Sequence, residues 1–161
     1  MKAVFTGSFD PFTKGHLDLV KRAALIFDEI IIAICVNTEK SGGMFTPEER
    51  VRIADASTRG MDNVRSEICP SLLADFIRER GCGVIIRGSR SPSEFEYETV
   101  MADVNRAIAD IDTVIFPARP ELGFISSTVA RDMILYGHPE IAMAEGAIPV
   151  ITEIMSGKVR E

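Results

Sequence analysis

The sequence lacks the features that define several large classes of protein. Its longest nearly unbroken apolar stretch, residues 30–36, is far shorter than the roughly 18 to 20 residues that a membrane span needs. No apolar segment follows Lys2, so we expect no secretory signal. The three cysteines have no C-x-x-C spacing, which argues against a disulfide framework and a structural zinc site and favours a reducing cytoplasm. The net charge of −6 argues against broad binding to nucleic acid or membrane surfaces.

The loops that mark several common enzyme classes are also missing. There is no G-x-x-x-x-G-K-[ST], H-E-x-x-H or G-x-S-x-G, and no cluster of cysteines and histidines. The Gly81-Cys82-Gly83 triplet lacks the third glycine of a dinucleotide-binding loop and precedes a predicted strand. Hydride transfer, zinc hydrolysis and serine hydrolysis therefore have no local support.

Strand-like and helix-like segments alternate along the 161 residues, which we interpret as one domain, 1–161. Strands are predicted at 2–6, 29–36, 63–68, 83–87 and 113–117, and helices at 15–27, 46–58, 71–80, 93–108 and 127–136. Residues 138–161 are predicted to form a partly helical tail. This alternation predicts an α/β fold, a doubly wound (Rossmann-like) five-stranded parallel sheet flanked by helices. In such folds ligands bind beyond the carboxyl ends of the strands.

Several predicted helices begin with a recognisable cap. In a capping box, a Ser or Thr side chain and a Glu three residues later satisfy each other's backbone N–H groups. Thr46 with Glu49 has this spacing, and so has Ser93 with Glu96. Ser71 is the predicted cap of the third helix.

The first predicted loop, G-S-F-D-P-F-T-K-G-H at residues 7–16, has the composition of an anion-binding turn. Gly7 permits close approach of a ligand to the backbone, and Ser8 offers a hydroxyl and an amide. His16 falls at the start of the predicted helix, where free N–H groups and the helix dipole favour an anion. Its ring can donate an Nε2–H hydrogen bond to a phosphate oxygen. The alternative is that His16 only caps or packs the helix.

Four segments together resemble a known family. T-K-G-H at 13–16 and I-S-S-T at 125–128 resemble the T-x-G-H and I-S-S-T motifs of the nucleotidyltransferase superfamily. R-G-S-R at 87–90 with F-E-Y-E at 95–98, and Lys40 with M-F-T-P-E-E-R at 44–50, resemble bacterial phosphopantetheine adenylyltransferases. The similarity extends from Phe5 to about Ala130 and fades after Gly137.

The resemblance implies transfer of AMP from ATP to 4′-phosphopantetheine, with dephospho-coenzyme A and pyrophosphate as products. It implies that His16 binds the α-phosphate, that Lys40 bridges the acceptor phosphate and the nucleotide, and that Arg90 binds the β- and γ-phosphates, as the three catalytic residues. The implied ATP-binding residues are Ser8, Phe9, His16, Gly88, Ser89, Arg90, Glu98, Ser126, Ser127 and Thr128. Those implied for the acceptor are Ser8, Lys40, Leu73 and Arg87.

The resemblance also implies Mg²⁺, which enters with the triphosphate, since the sequence offers no dedicated carboxylate cage for it. Coenzyme A as a feedback ligand and assembly into a homohexamer are further implications of the family.

Other interpretations remain open at this stage. The I-S-S-T-V-A-R segment is also similar to the corresponding element of nicotinate-mononucleotide adenylyltransferases. A small cytidylyltransferase is a weaker alternative, because its R-T-x-G-I-S-T-type motif is missing. The domain also fits a non-catalytic nucleotide-binding sensor. Taken singly, Lys40 has the context of a solvated lysine, Arg87 that of a surface ion pair and Glu98 that of an exposed helical glutamate.

Overall fold

Five parallel strands form one sheet in the order β3-β2-β1-β4-β5. The computed structural model describes residues 1–36, 43–70 and 72–158. The strands are β1 (Lys2–Gly7), β2 (Glu29–Cys35), β3 (Val64–Cys69), β4 (Val84–Ser89) and β5 (Asp112–Pro117). The chain runs outward from β1 to β3 and then crosses to β4 on the other side of β1. The predicted doubly wound fold class is confirmed, and the strand order reverses between β1 and β4.

Six helices in the described part of the chain cover the two faces of this sheet. They are α1 (Lys14–Ala23), α2 (Pro47–Ser57), α3 (Leu73–Arg80), α4 (Pro92–Ala109), α5 (Ser127–Leu135) and α6 (Ile148–Lys158). Buried side chains of α1, α2, α5 and α6 share one core cluster, and Phe76 and Ile77 of α3 belong to a second cluster on the opposite face. None of the described helices combines the length and the apolar character needed to cross a membrane.

The second strand shows why the sheet is buried on both faces. Ile30, Ile32 and Ile34 join the first cluster, whereas Ile31 and Ala33 join the second. Successive side chains of a strand point to opposite faces, so the unbroken apolar sequence of β2 is what a doubly covered strand requires. Each fully buried isoleucine contributes about 1.5–3 kcal/mol of transfer free energy.

Of the helix caps predicted from the sequence, one is confirmed, one is wrong and one lies outside the described residues. The predicted box at Thr46 and Glu49 is confirmed, with the N–H of Glu49 donating to Thr46 Oγ1 at 3.2 Å and the N–H of Thr46 donating to Glu49 Oε2 at 2.7 Å. Helix α3 begins at Leu73, with Leu72 in the N-cap position and no side-chain cap. Ser71, the predicted cap, lies outside the described residues.

The predicted box at Ser93 and Glu96 is wrong, because α4 begins earlier. Pro92 occupies the first turn and the Ser91 hydroxyl accepts from the N–H of Glu94 at 3.2 Å. Proline is favoured there, since the first helical N–H has no partner to lose and its fixed φ suits the helix. The S-P-x-E order at 91–94 repeats the T-P-x-E order at 46–49, so the correct start was present in the sequence.

The tail after Gly137 packs closely on α2, which belongs to the first core cluster. Two short 3-10 turns, Pro139–Ile141 and Glu145–Ala147, lead into α6. A Cβ built on Gly146 would lie 2.6 Å from the carbonyl oxygen of Ala56 in α2. The tail therefore meets α2 at a distance that only glycine allows.

We expect Gly146→Ala to lower the free energy of unfolding by about 1–3 kcal/mol, because the added methyl group must displace helix backbone. Gly157 in α6 is the matched control, since a Cβ there meets nothing within 4 Å. Gly157→Ala should be neutral or stabilising by up to about 1 kcal/mol, through helix propensity. Urea unfolding of the two variants measures both effects, and equal unfolding free energies would contradict the close packing of Gly146.

Candidate active site

One cavity of about 480 Å³ opens at the carboxyl ends of β1 and β4, where the strand order reverses. Its walls come from the turn after β1, the first turn of α1, the end of β4 and the start of α5. The predicted site residues that line it are Ser8, Phe9, His16, Arg87, Gly88, Ser89, Arg90, Glu98, Ser126, Ser127 and Thr128. The structure thus brings together motifs that are more than a hundred residues apart in the chain.

The two remaining predicted site residues are Lys40 and Leu73, and Leu73 does not line the cavity. Lys40 lies outside the described residues. Leu73 is the first residue of α3 and packs against the core cluster on the opposite face of the sheet. Its predicted contact with the acceptor stays a prediction.

His16 occupies the third position of α1 and forms a capping box with Thr13. The Thr13 hydroxyl accepts from the N–H of His16 at 3.4 Å, and His16 Nδ1 accepts from the N–H of Thr13 at 3.0 Å. Because Nδ1 is the acceptor, the proton of the neutral ring resides on Nε2. The rings of Phe9 and Phe12, with centroids 5.0 and 5.3 Å from that of His16, hold the imidazole in place. The interpretation of His16 as a capping residue is confirmed, and the capping box uses only Nδ1 of the ring. The contact of Nε2 with a phosphate stays a prediction.

The surroundings keep His16 neutral. Burial lowers the pKa of His16 to about 4, and the nearby positive charges of Arg90 and Arg87 act in the same direction. At neutral pH the ring is therefore a hydrogen-bond donor through Nε2–H and not a cation.

Arg87 is held rigidly by four hydrogen bonds to the protein. Its Nε and Nη2 donate to the two carboxylate oxygens of Glu98, each at 2.7 Å, and Nη1 donates to the carbonyl and hydroxyl oxygens of Thr6 at 2.6 and 3.1 Å. Glu98 is 7% exposed and is the one buried residue of α4, a helix described over its whole length. The interpretation of Glu98 as an exposed helical glutamate is thus wrong. Its carboxylate fixes the direction of the arginine.

Arg90 links two walls of the cavity. Its Nε and Nη2 donate to the Glu94 carboxylate, and Nη1 donates to the carbonyl of Ile125 at 3.1 Å. The hydroxyl of its neighbour Ser89 donates to the carbonyl of Ser91 at 2.9 Å. Sequence reasoning missed Glu94, although its position four residues after Arg90 is the spacing of a local ion pair.

The start of α5 presents backbone donors to the cavity. The Ser126 hydroxyl accepts from the N–H of Val129 at 3.0 Å, and the Ser127 hydroxyl donates to the carbonyl of Pro11 at 2.9 Å. The first N–H groups of a helix have no intrahelical partner, so those of Ser127 and Thr128 suit an anion.

Sequence reasoning also missed the outer wall of the cavity. Arg22 from α1 donates to the carbonyl of Pro117 at 2.9 Å, and its guanidinium lies 5.5 Å from the ring centroid of Phe116. Tyr97 and Leu122 also line the cavity. No local motif marks Arg22 or Leu122, because tertiary packing alone brings them to the cavity, whereas Tyr97 lies within the F-E-Y-E segment.

The described residues do not form a metal cage. Across residues 1–36, 43–70 and 72–158 no group of three or more His, Cys, Asp or Glu side chains is arranged to hold an ion. Both glutamates of the cavity, Glu94 and Glu98, are bonded to arginines.

Solved structures share this fold. A putative nicotinate-nucleotide adenylyltransferase from Vibrio parahaemolyticus matches with a TM-score of 0.68 and 16% identity, over 94% of this chain and 91% of that one. A bifunctional NMN adenylyltransferase/ADP ribose pyrophosphatase from Francisella tularensis matches with a TM-score of 0.61 and 18% identity, over 84% of this chain and 42% of that one. At these identities the likeness concerns the fold alone.

Sequence comparisons are more specific. The cytidylyltransferase-like family model matches residues 4–133. The phosphopantetheine adenylyltransferase of Clostridium novyi (strain NT) is 39% identical over 98% of both chains. That of Corynebacterium glutamicum (strain R) is 42% identical over 85% of this chain and 86% of its own. The chain therefore belongs to the cytidylyltransferase-like nucleotidyltransferases and, among them, to the phosphopantetheine adenylyltransferase family.

Proposed function

We propose that this protein transfers AMP from ATP to 4′-phosphopantetheine, giving dephospho-coenzyme A and pyrophosphate. The observation that carries the proposal is the convergence of His16, Arg87, Arg90 and the first turn of α5 on one cavity at the switch point of the sheet. Membership of the family supports the choice of the two substrates.

The geometry suits an in-line displacement that needs no base. An oxygen of the acceptor phosphate bonds to the α-phosphorus while the bond from that phosphorus to the α,β-bridging oxygen breaks, and pyrophosphate leaves with the electron pair. The attacking oxygen is already anionic at neutral pH, so the reaction needs no base. This agrees with the low pKa of His16, which makes the ring too weak a base to take a proton. In this proposal His16 Nε2–H donates to an α-phosphoryl oxygen. Positioning and electrostatic stabilisation then supply the catalysis.

The cavity offers directed donors more than net positive charge. Arg87 and Arg90 are each paired with a glutamate, so their charges are largely balanced within the protein. We propose that Lys40 adds the further cation between acceptor phosphate and nucleotide, and that Ser8 contacts the acceptor phosphate. Mg²⁺ bound to the triphosphate would supply further positive charge there, and the described side chains offer no separate cage for it.

We further propose a cytoplasmic homohexamer that also binds coenzyme A, as the family resemblance implies. Helix α4 supports self-association. Tyr97, Val100, Val104 and Ile108 are exposed and fall at helical spacing along one stripe. A contiguous exposed apolar surface of this kind is typical of an interaction face.

Acceptor specificity separates the candidate functions. We expect pyrophosphate release from ATP and Mg²⁺ with phosphopantetheine, and none with nicotinate mononucleotide or without an acceptor. Nicotinate mononucleotide is the meaningful rival, because the I-S-S-T-V-A-R segment is similar to that enzyme family too. A coupled pyrophosphate assay measures all three conditions. Faster turnover with nicotinate mononucleotide would change the assignment, and no turnover with either acceptor would favour a nucleotide sensor.

We expect His16→Ala to lower kcat by about 100-fold or more, because it removes a donor that acts on the transition state. His138 is the matched control: it is the other histidine of the chain, is exposed, and its ring bonds to Glu140. His138→Ala should keep kcat within about twofold, as surface substitutions usually do. Steady-state kinetics decides the matter, and a His16→Ala enzyme that is only a few-fold slower would exclude this role.

The protonation of His16 is testable by NMR. We expect nitrogen-15 shifts to show Nε2–H and bare Nδ1 from pH 5 to 8, with proton uptake near pH 4. Since the pKa of about 4 in the folded protein lies below the ordinary 6.5, acid favours the unfolded chain. The contribution of His16 to the free energy of unfolding is complete above pH 6.5 and is lost as the pH falls toward 4, where the unfolded chain binds a proton that the folded chain does not. The loss is at most about 3 kcal/mol in all. A ring that titrates near pH 6.5 in the folded protein would refute the assignment.

A further inference from the structure

A buried carboxylate outside the cavity joins the turn after β1, which lines the cavity, to the segment before α2. We propose that Asp10 is a positioning residue of the reaction: together with Arg50 it holds the Ser8 turn against residues 44–45 and so sets the acceptor side of the site. This inference rests on the proposed function.

The Asp10 carboxylate binds two consecutive backbone N–H groups from a distant part of the chain. Asp10 is 8% exposed. Its Oδ2 accepts from the N–H of Met44 and its Oδ1 from the N–H of Phe45, both at 2.9 Å. Hydrogen bonds to an ionised acceptor are stronger than neutral ones, so each carboxylate oxygen fixes one peptide.

Arg50, from α2, completes the arrangement. Its Nε donates to the carbonyl of Phe45 at 2.9 Å and its Nη1 donates to the carbonyl of Ser8 at 3.2 Å, while Nε lies 3.4 Å from Asp10 Oδ1. The planar guanidinium holds the two carbonyls in one fixed geometry, which a flexible ammonium group does not provide. The turn after β1 and the segment before α2 are thereby joined.

The arrangement is tightly packed. A Cβ built on Gly43 would clash with Arg50 Nη2 and with Asp10 Oδ2, so any other residue there would displace the ends of these two side chains. On the other side Arg131 of α5 donates from Nη1 to the backbone carbonyl of Asp10 at 2.7 Å, and the same nitrogen lies 3.9 Å from Oδ2. The carboxylate therefore faces the two arginines and the two peptide N–H groups.

Asp10 and Arg50 act through their neighbours, because neither lines the cavity. Ser8 does line it, and in the proposed function it contacts the acceptor phosphate. A small shift of the Ser8 turn misaligns the attacking oxygen, and a misalignment of about 1 Å can cost a hundredfold in rate.

The test compares Asp10→Asn and Arg50→Lys with wild type. Asparagine leaves one of the two N–H groups without a carbonyl-type acceptor, and lysine cannot serve both carbonyls. We expect kcat/KM for phosphopantetheine to fall about tenfold or more in each variant, through misalignment of the acceptor. The calorimetric Kd for ATP without acceptor should change by less than about twofold, since the backbone link from Asp10 to Arg131 survives the substitution.

The matched control is Glu29→Gln at the opposite end of the sheet, where Glu29 also binds two cations, Lys2 and Arg65. It should leave both kinetic and binding constants unchanged, which excludes a general effect of losing a carboxylate. If the role of Asp10 were purely structural, the variant would contain less folded enzyme. The apparent kcat would then fall equally in assays with either substrate varied, and both KM values would be unchanged. That result, or wild-type kcat/KM in both variants, would overturn the inference.

Hydrogen exchange tests the same contact without any turnover. The amides of Met44 and Phe45 should exchange at least about fivefold faster in Asp10→Asn, because local opening loses a charged acceptor. If wild type released no pyrophosphate with phosphopantetheine, the proposed function would fail while this measurement still reported on the contact. Unchanged exchange at both amides would overturn the inference by itself.

Discussion

The hydrogen bond from the backbone N–H of Thr13 to Nδ1 of His16 is the interaction on which the site depends. It satisfies a helix N-terminus, and it also decides which ring nitrogen carries the proton. The phenylalanine rings around the imidazole disfavour its protonated form, because a charged ring would lose its solvation there. A single folding interaction thus fixes the tautomer that the proposed contact with a phosphate requires.

In the proposed function, an acidic chain binds two polyanions through the orientation of its donors. Glu98 and Glu94 hold Arg87 and Arg90 in fixed directions, at the cost of much of the net positive charge. Donors whose positions are set in advance need little reorganisation during the reaction. The carboxylates near the cavity are therefore compatible with anionic substrates, because they orient the arginines that face them.

The sequence predicted those parts of the protein whose signals are local. The apolar run of β2, the cap at Thr46 and the start of α5 each depend on about ten neighbouring residues. The location of the cavity was also predictable, because parallel strands bring their carboxyl ends to one edge of the sheet. The burial of Glu98 against Arg87 and the contact of Asp10 with residues 44–45 were not predictable in this way, since they arise when separate elements pack together.

Helix α4 has a single buried residue, Glu98, and its other side chains are partly or fully exposed. An ion pair through Glu98, and not an apolar seam, ties its first half to the strand beneath. The exposed side chains of Val100, Val104 and Ile108 belong to neither core cluster. A change in the exposed apolar side chains of this eighteen-residue helix therefore leaves the support that Glu98 gives to Arg87 in place.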